Sequence, residues 1–121
     1  MKLFRTTFLI IVLSIIACWV QAQNRGNIWC FGDSAGIDFN NLSNPVPIST
    51  ALRTRGSCAS IADTSGNLLF YANDRSGFPG DYSTLVYNSV NNVMPQGDSI
   101  IGEAWYNEII IIPWPDNDSL Y

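Results

Sequence analysis

The chain reads as an all-β protein, and three observations carry that reading. Residues 57–73, SCASIADTSGNLLFYAN, set two apolar runs, 58–62 and 68–72, around the turn formers Asp63-Thr64-Ser65-Gly66-Asn67. That is the signature of a β-hairpin with a longer loop, Gly66 supplying a positive φ. Further short β-branched and aromatic runs, of about four to seven residues, recur along the chain between clusters of Gly, Pro, Asn and Asp. Composition agrees: 47% of the 121 residues are hydrophobic and only 13% are charged, against a background of Asn, Ser, Thr and Gly.

The N-terminus reads as an export signal. Lys2 and Arg5 form a positive lead, and residues 8–20 are an apolar run broken only by Ser14. The run is short for a bilayer span and ends in Val20-Gln21-Ala22, small residues at the positions a signal peptidase reads. Residues 1–22 are therefore expected to be a signal peptide, cleaved before Gln23, with no membrane span afterwards. A competing reading takes Ile15-Ile16-Ala17-Cys18 as a lipobox and makes the product a lipoprotein anchored through Cys18. The remaining residues, 23–121, amount to one domain at most. Export puts Cys30 and Cys58 in an oxidising compartment, where they are either two small buried side chains or a disulfide between neighbouring strands.

From there the elements follow in order. Residues 28–31 (Ile-Trp-Cys-Phe) predict a short strand stopped by Gly32 and Asp33. Residues 35–47 have the composition of a surface loop, with Ile37 and Phe39 tucked inward. Residues 46–52 predict an edge strand, because Pro45 and Pro47 cannot donate to a central ladder. After the hairpin, 73–82 reads as a long loop and 83–88 as the next strand, followed by a turn at 89–92. Residues 93–95 form a brief extended piece before a turn at 96–98. Ile109 to Ile112 are four consecutive isoleucines closed by Pro113, which predicts a strand buried on both faces. Residues 102–108 are open to a helical turn. Residues 114–119 read as another turn, and Leu120-Tyr121 as a strand just begun, so the sequence is expected to be the first part of a longer domain.

Short strands with apolar residues on both faces of the hairpin (Ala59 and Ile61; Leu68 and Phe70; Leu69 and Tyr71) predict a sheet covered on both sides. A partial β-propeller-like array of antiparallel hairpins suits this best, since blades stack face to face; a β-sandwich is the alternative.

Three segments resemble one family. Residues 27–40 (NIWCFGDSAGIDFN), 56–71 (GSCASIADTSGNLLFY) and Val86-Tyr87-Asn88 with Val93-Met94-Pro95 appear in the order seen in large secreted bacterial surface proteins. In that family a propeller-like N-terminal region precedes PKD modules and a type IX secretion sorting domain of the gliding-motility type. Residues 109–113 resemble its Ile-Ile-Val-Pro element. Cys30 departs from the family's aromatic, and residues 103–108 replace a Ser/Thr-rich stretch. The resemblance implies a secreted or cell-surface scaffold, adhesin or binding module, and it supplies no catalytic residues.

The chemistry legible in the residues is sparse. There is no histidine, which removes the commonest general base and transition-metal ligand. The net charge of −4 argues against nucleic acid as a partner. No phosphate loop, metal-ligand spacing or nucleophile elbow occurs, so no cofactor is expected. Asp33, Asp63, Asp74 and Asp81 sit beside turn residues and read as caps of their own backbone. Asp116-Asn117-Asp118 lacks the Gly and distal Glu of a calcium loop and reads as a turn. The most site-like segment holds Glu103, Trp105, Tyr106 and Glu108, two acids around two aromatics, and is the candidate ligand-binding site. Tyr82 and Trp114 are further candidates for stacking on sugars. The expectation is a non-catalytic module that binds cell-surface glycans or other surface proteins. The alternative is part of a secreted carbohydrate-active enzyme whose catalytic groups lie beyond residue 121.

Overall fold

A computed structural model describes residues 24–54, 56–74, 83–98, 100–101, 109–114 and 121. These form an all-β arrangement of two antiparallel sheets, introduced by a single 3-10 turn, Asn24–Gly26. The first sheet is the meander β1 (Ile28–Phe31), β2 (Ala35–Asp38) and β3 (Val46–Ser49), in that spatial order. The second is the meander β4 (Cys58–Ala62), β5 (Leu68–Asn73), β6 (Ser83–Asn88) and the two-residue β7 (Ile100–Ile101).

The central hairpin forms as the sequence predicts. Cys58 faces Asn73 and Ile61 faces Phe70 across the ladder, with a bulge between Ile61 and Ala62. β6 falls on the expected residues and pairs Tyr87 with Tyr71 and Val86 with Ala72. β3 lies at the sheet edge, as its flanking prolines require, but ends at Ser49. The chain beyond it turns inward, and Leu52 becomes a fully buried plug.

Two expectations are corrected. The segment from Ala35 is not a loop: β2 is the middle strand of its sheet, paired to both β1 and β3. Its Gly36, which counts as a loop signal in sequence, is there because a Cβ would stand 2.7 Å from the Trp29 carbonyl oxygen and 2.9 Å from Ile48 Cγ1. The isoleucine run is not buried on both faces either. Ile109 and Ile111 are half-buried, while Ile110 and Ile112 are 77% and 64% exposed, and none of the four belongs to a strand. The run alternates like an extended segment covered on one side only.

The core lies where the sheets meet. Ile28 and Cys30 point inward from β1 and join Leu52, Ala62, Tyr71 and Tyr87, with Ile48, Ala51, Leu68 and Leu85 packed around them. β1 packs against β4 without pairing to it. Ser60 bridges them: its hydroxyl donates to the Ile28 carbonyl at 2.7 Å and accepts from the Cys30 N–H at 3.2 Å. One side chain thus satisfies two edge groups that a neighbouring strand would otherwise pair.

Tyr71 is the hub of this core. Its ring is fully buried and stacks on Tyr87 with centroids 5.2 Å apart. Its hydroxyl accepts from the Ala51 N–H at 2.9 Å and donates to Asn91 Oδ1 at 2.6 Å. Burial raises the pKa of both tyrosines above the ordinary phenolic value.

Candidate functional site

Glu103, Trp105, Tyr106 and Glu108 lie outside the described residues, as do Tyr82, Asp81 and residues 116–118. Trp114 is described, and 60% exposed. The aromatic surface that the structure does assemble stands on the first sheet, and it arises from period-two alternation. On β1, Ile28 and Cys30 turn into the core, which forces Trp29 and Phe31 to the outer face. Register places Trp29 opposite Ile37 and Phe31 opposite Ala35, and Ile37 opposite Pro47. Phe39, just past β2, meets the Trp29 ring edge-on with centroids 5.1 Å apart. Trp29 is 58% exposed even so, and its indole N–H is held by the Gly26 carbonyl at 2.9 Å. The ring is therefore fixed in position with its hydrogen bond already made, leaving an apolar face to the solvent. Ile37 and Phe39 border this face and do not fill the core.

Cys30 and Cys58, for which two readings stood open, sit on the contacting strands β1 and β4 as free thiols, with no bridge between them. Burial pushes the Cys30 thiol up to about 11, against the opposing effect of the Ser60 hydroxyl, with a further upward push from Cys58. Burial likewise raises Cys58, helped by the charge of Asp74 and opposed by the Gly32 N–H. Both sulfurs are thereby kept as thiols, poor nucleophiles at neutral pH.

The acids divide in a way the sequence does not reveal. Asp63 caps its own loop as expected, accepting from the N–H groups of Ser65 and Asn67 at 2.8 and 2.9 Å. Asp38 accepts from the Asn40 N–H at 2.7 Å. Asp33 is exposed in a tight turn at φ 59°. Asp74 departs from the turn-cap reading: it is 2% exposed, and neither carboxylate oxygen has a hydrogen-bond partner. A run of Asn73 and Asp74 at a strand end carries no signal of burial in sequence. It becomes visible only once β4 and β5 are paired.

No described helix is long and apolar enough to cross a membrane. No family model, no curated protein and no solved structure matches the chain.

Proposed function

We propose that the chain is a non-catalytic binding module of an exported or cell-surface protein, with glycans as its ligand class. The observation that carries this reading is the outer face of the first sheet, where Trp29 is rigidly seated beside Phe39, Phe31 and Ile37 and open to solvent. An exposed ring face with its polar atom already satisfied is what stacking on a sugar requires. The resemblance to type IX-secreted surface proteins with PKD modules points the same way. So does the use of Asp38 and Asp63 as caps of their own loops.

The finer architecture belongs to the same proposal: the two meanders are two successive propeller blades. Supporting it, β1 and β4, the first strands of the two meanders, are the strands that touch. First strands of neighbouring blades lie side by side around a propeller axis, whereas a sandwich would oppose whole sheet faces.

Glycan-array binding of the wild-type chain and Trp29→Ala tests the function. The substitution is expected to weaken binding by about 1–3 kcal/mol, roughly five- to 150-fold, as for a stacked aromatic anchor. If another sheet of the protein covers this face, Trp29→Ala lowers the melting temperature and leaves array binding unchanged, and the glycan assignment fails. Polysaccharide hydrolysis by the protein would overturn the non-catalytic reading.

A further inference from the structure

The two sheets meet along a seam with no ladder across it, and a pair of thiols stands on that seam. β1 packs against β4 but belongs to a different sheet. Two side chains of β4 reach across to the first sheet's chain, and period two puts both on one side of the strand. Ser60 binds the Ile28 carbonyl at 2.7 Å and the Cys30 N–H at 3.2 Å. Cys58, two residues earlier, accepts the Gly32 N–H on its sulfur. Cys30 falls between these two points of contact, and the Ser60 hydroxyl also meets its sulfur. Its side chain turns into the core, and Cys58 packs against that same cluster. The two cysteines therefore approach one another from opposite sides of the seam, and both are free.

We propose that Cys30 and Cys58 are a redox-operated staple, open in the reduced chain and closed by oxidation across the seam between the two sheets. The co-reactant is a disulfide, R–S–S–R. Cys58 is the more exposed of the pair and Cys30 is buried, so Cys58 reacts first. Its thiolate attacks the co-reactant, whose S–S bond breaks and releases one R–SH. The Cys30 thiolate then attacks the Cys58 sulfur and expels the second R–SH. Two cysteine thiols are oxidised to one disulfide, and the co-reactant is reduced to two thiols. Closure encloses residues 31–57 in a covalent loop that holds β2, β3 and the connection between the sheets. A loop of that length restricts the unfolded chain strongly, and the bridge adds a covalent tie where the strands only pack. The inference is independent of the glycan reading, because it concerns the inner seam and not the outer face of the first sheet.

Equilibration of the full chain with reduced and oxidised glutathione tests it, in a Cys18→Ser background that leaves only the pair. Both thiols should disappear together, and peptide mapping without reductant should find Cys30 joined to Cys58 in a monomer. The bridge should be favoured about a hundredfold more in the native chain than in urea, because only the fold brings the strands together. The oxidised chain should melt at least about 10 °C above the reduced one, and reductant should reverse the rise. Cys58→Ser should abolish that difference. Three results overturn the staple. One is that each thiol holds a separate glutathione or joins a second chain. Another is a bridge that forms equally well in urea. The third is an oxidised chain that melts no higher than the reduced one, which would mean that the Cα atoms lie beyond the roughly 7 Å that an unstrained bridge spans. Should Cys58→Ser fail to fold, the glutathione equilibrium and the peptide map of the unsubstituted pair decide alone: a native-favoured Cys30–Cys58 bridge supports the staple, and its absence removes it.

Discussion

The loops at 63–67 and 88–92 are built on one hydrogen-bond plan and differ in the residue that bends them. In each, the first side chain accepts from the N–H groups two and four residues on: Asp63 from Ser65 and Asn67, Asn88 from Val90 and Asn92. In each, the first N–H reaches the fifth carbonyl, and the fourth N–H returns to the first carbonyl. The fourth residue is left-handed in both, Gly66 at φ 90° and Asn91 at φ 66°. The difference lies in how each loop joins the rest of the molecule. The first is gripped from outside: Asn40 Nδ2 donates to the Gly66 carbonyl at 2.8 Å, while Asn40 Oδ1 accepts from Asn27. The second reaches inward, Asn91 accepting from the buried Tyr71 hydroxyl. A loop held through its backbone needs no side chain at the bend, and a loop that holds the core needs one.

Gly66→Ala should break the first arrangement with the largest effect. A Cβ there would collide with the Asn40 side chain amide. Left-handed backbone costs a non-glycine residue roughly 1–2 kcal/mol, and losing the Asn40 clasp adds about 0.5–1.5 kcal/mol. Chemical denaturation should therefore show a loss of about 2–3 kcal/mol. A loss below about 0.5 kcal/mol would mean that Asn40 swings away freely and the grip is incidental.

Tyr71→Phe tests the second. It keeps the buried ring and its stacking on Tyr87, but strips both hydroxyl bonds and leaves the Ala51 N–H unpaired. About 1–3 kcal/mol should be lost, the cost of an orphaned buried donor. Asn91→Gly keeps the left-handed bend and removes only the acceptor. In a double-mutant cycle the two substitutions should couple by roughly 0.5–1.5 kcal/mol. Additivity would show that the hydroxyl does not hold the loop to the core.

The same contrast explains what was legible in the sequence. The hairpin 57–73 could be read outright because its signals are local: two apolar runs and a cluster of turn formers state strand, loop and strand within seventeen residues. β6 was readable for the same reason. β2 was not, since Gly36, Asp38 and the asparagines after it score as loop, and its strand character comes from β1 and β3 on either side. The isoleucines at 109–112 carry strong strand propensity, but burial depends on neighbours that a propensity does not supply. Trp29 and Phe31 were readable as strand residues, but the side they face depends on which alternate residues enter the core. The shared pattern Asp63…Gly66-Asn67 and Asn88…Asn91-Asn92 was present in the sequence as well. It is hard to see there because Asp for Asn and Gly for Asn look like unrelated residues until the hydrogen bonds equate them.

Acid separates the two loops most finely. The Asn67 side chain amide donates to Asp63 Oδ2 at 2.9 Å, and the N–H groups of Asn67 and Ser65 add to it. Together they hold the Asp63 carboxyl below its ordinary range, the side-chain bond contributing most. A carboxyl depressed on folding adds stability that is complete above its unfolded value, about 3.9, and drains away as pH falls through the lower folded value. Asn88 makes the matching bonds through an amide that does not titrate. Amide chemical shifts followed from pH 6 toward pH 2 should therefore move at Ser65 and Asn67, with a midpoint below about 3.9, while those of Val90 and Asn92 stay flat. Asp63→Asn should make the first loop as indifferent to acid as the second, with little change near neutral pH. Equal responses in the two loops of the wild type would show that the carboxylate is not what closes the first one.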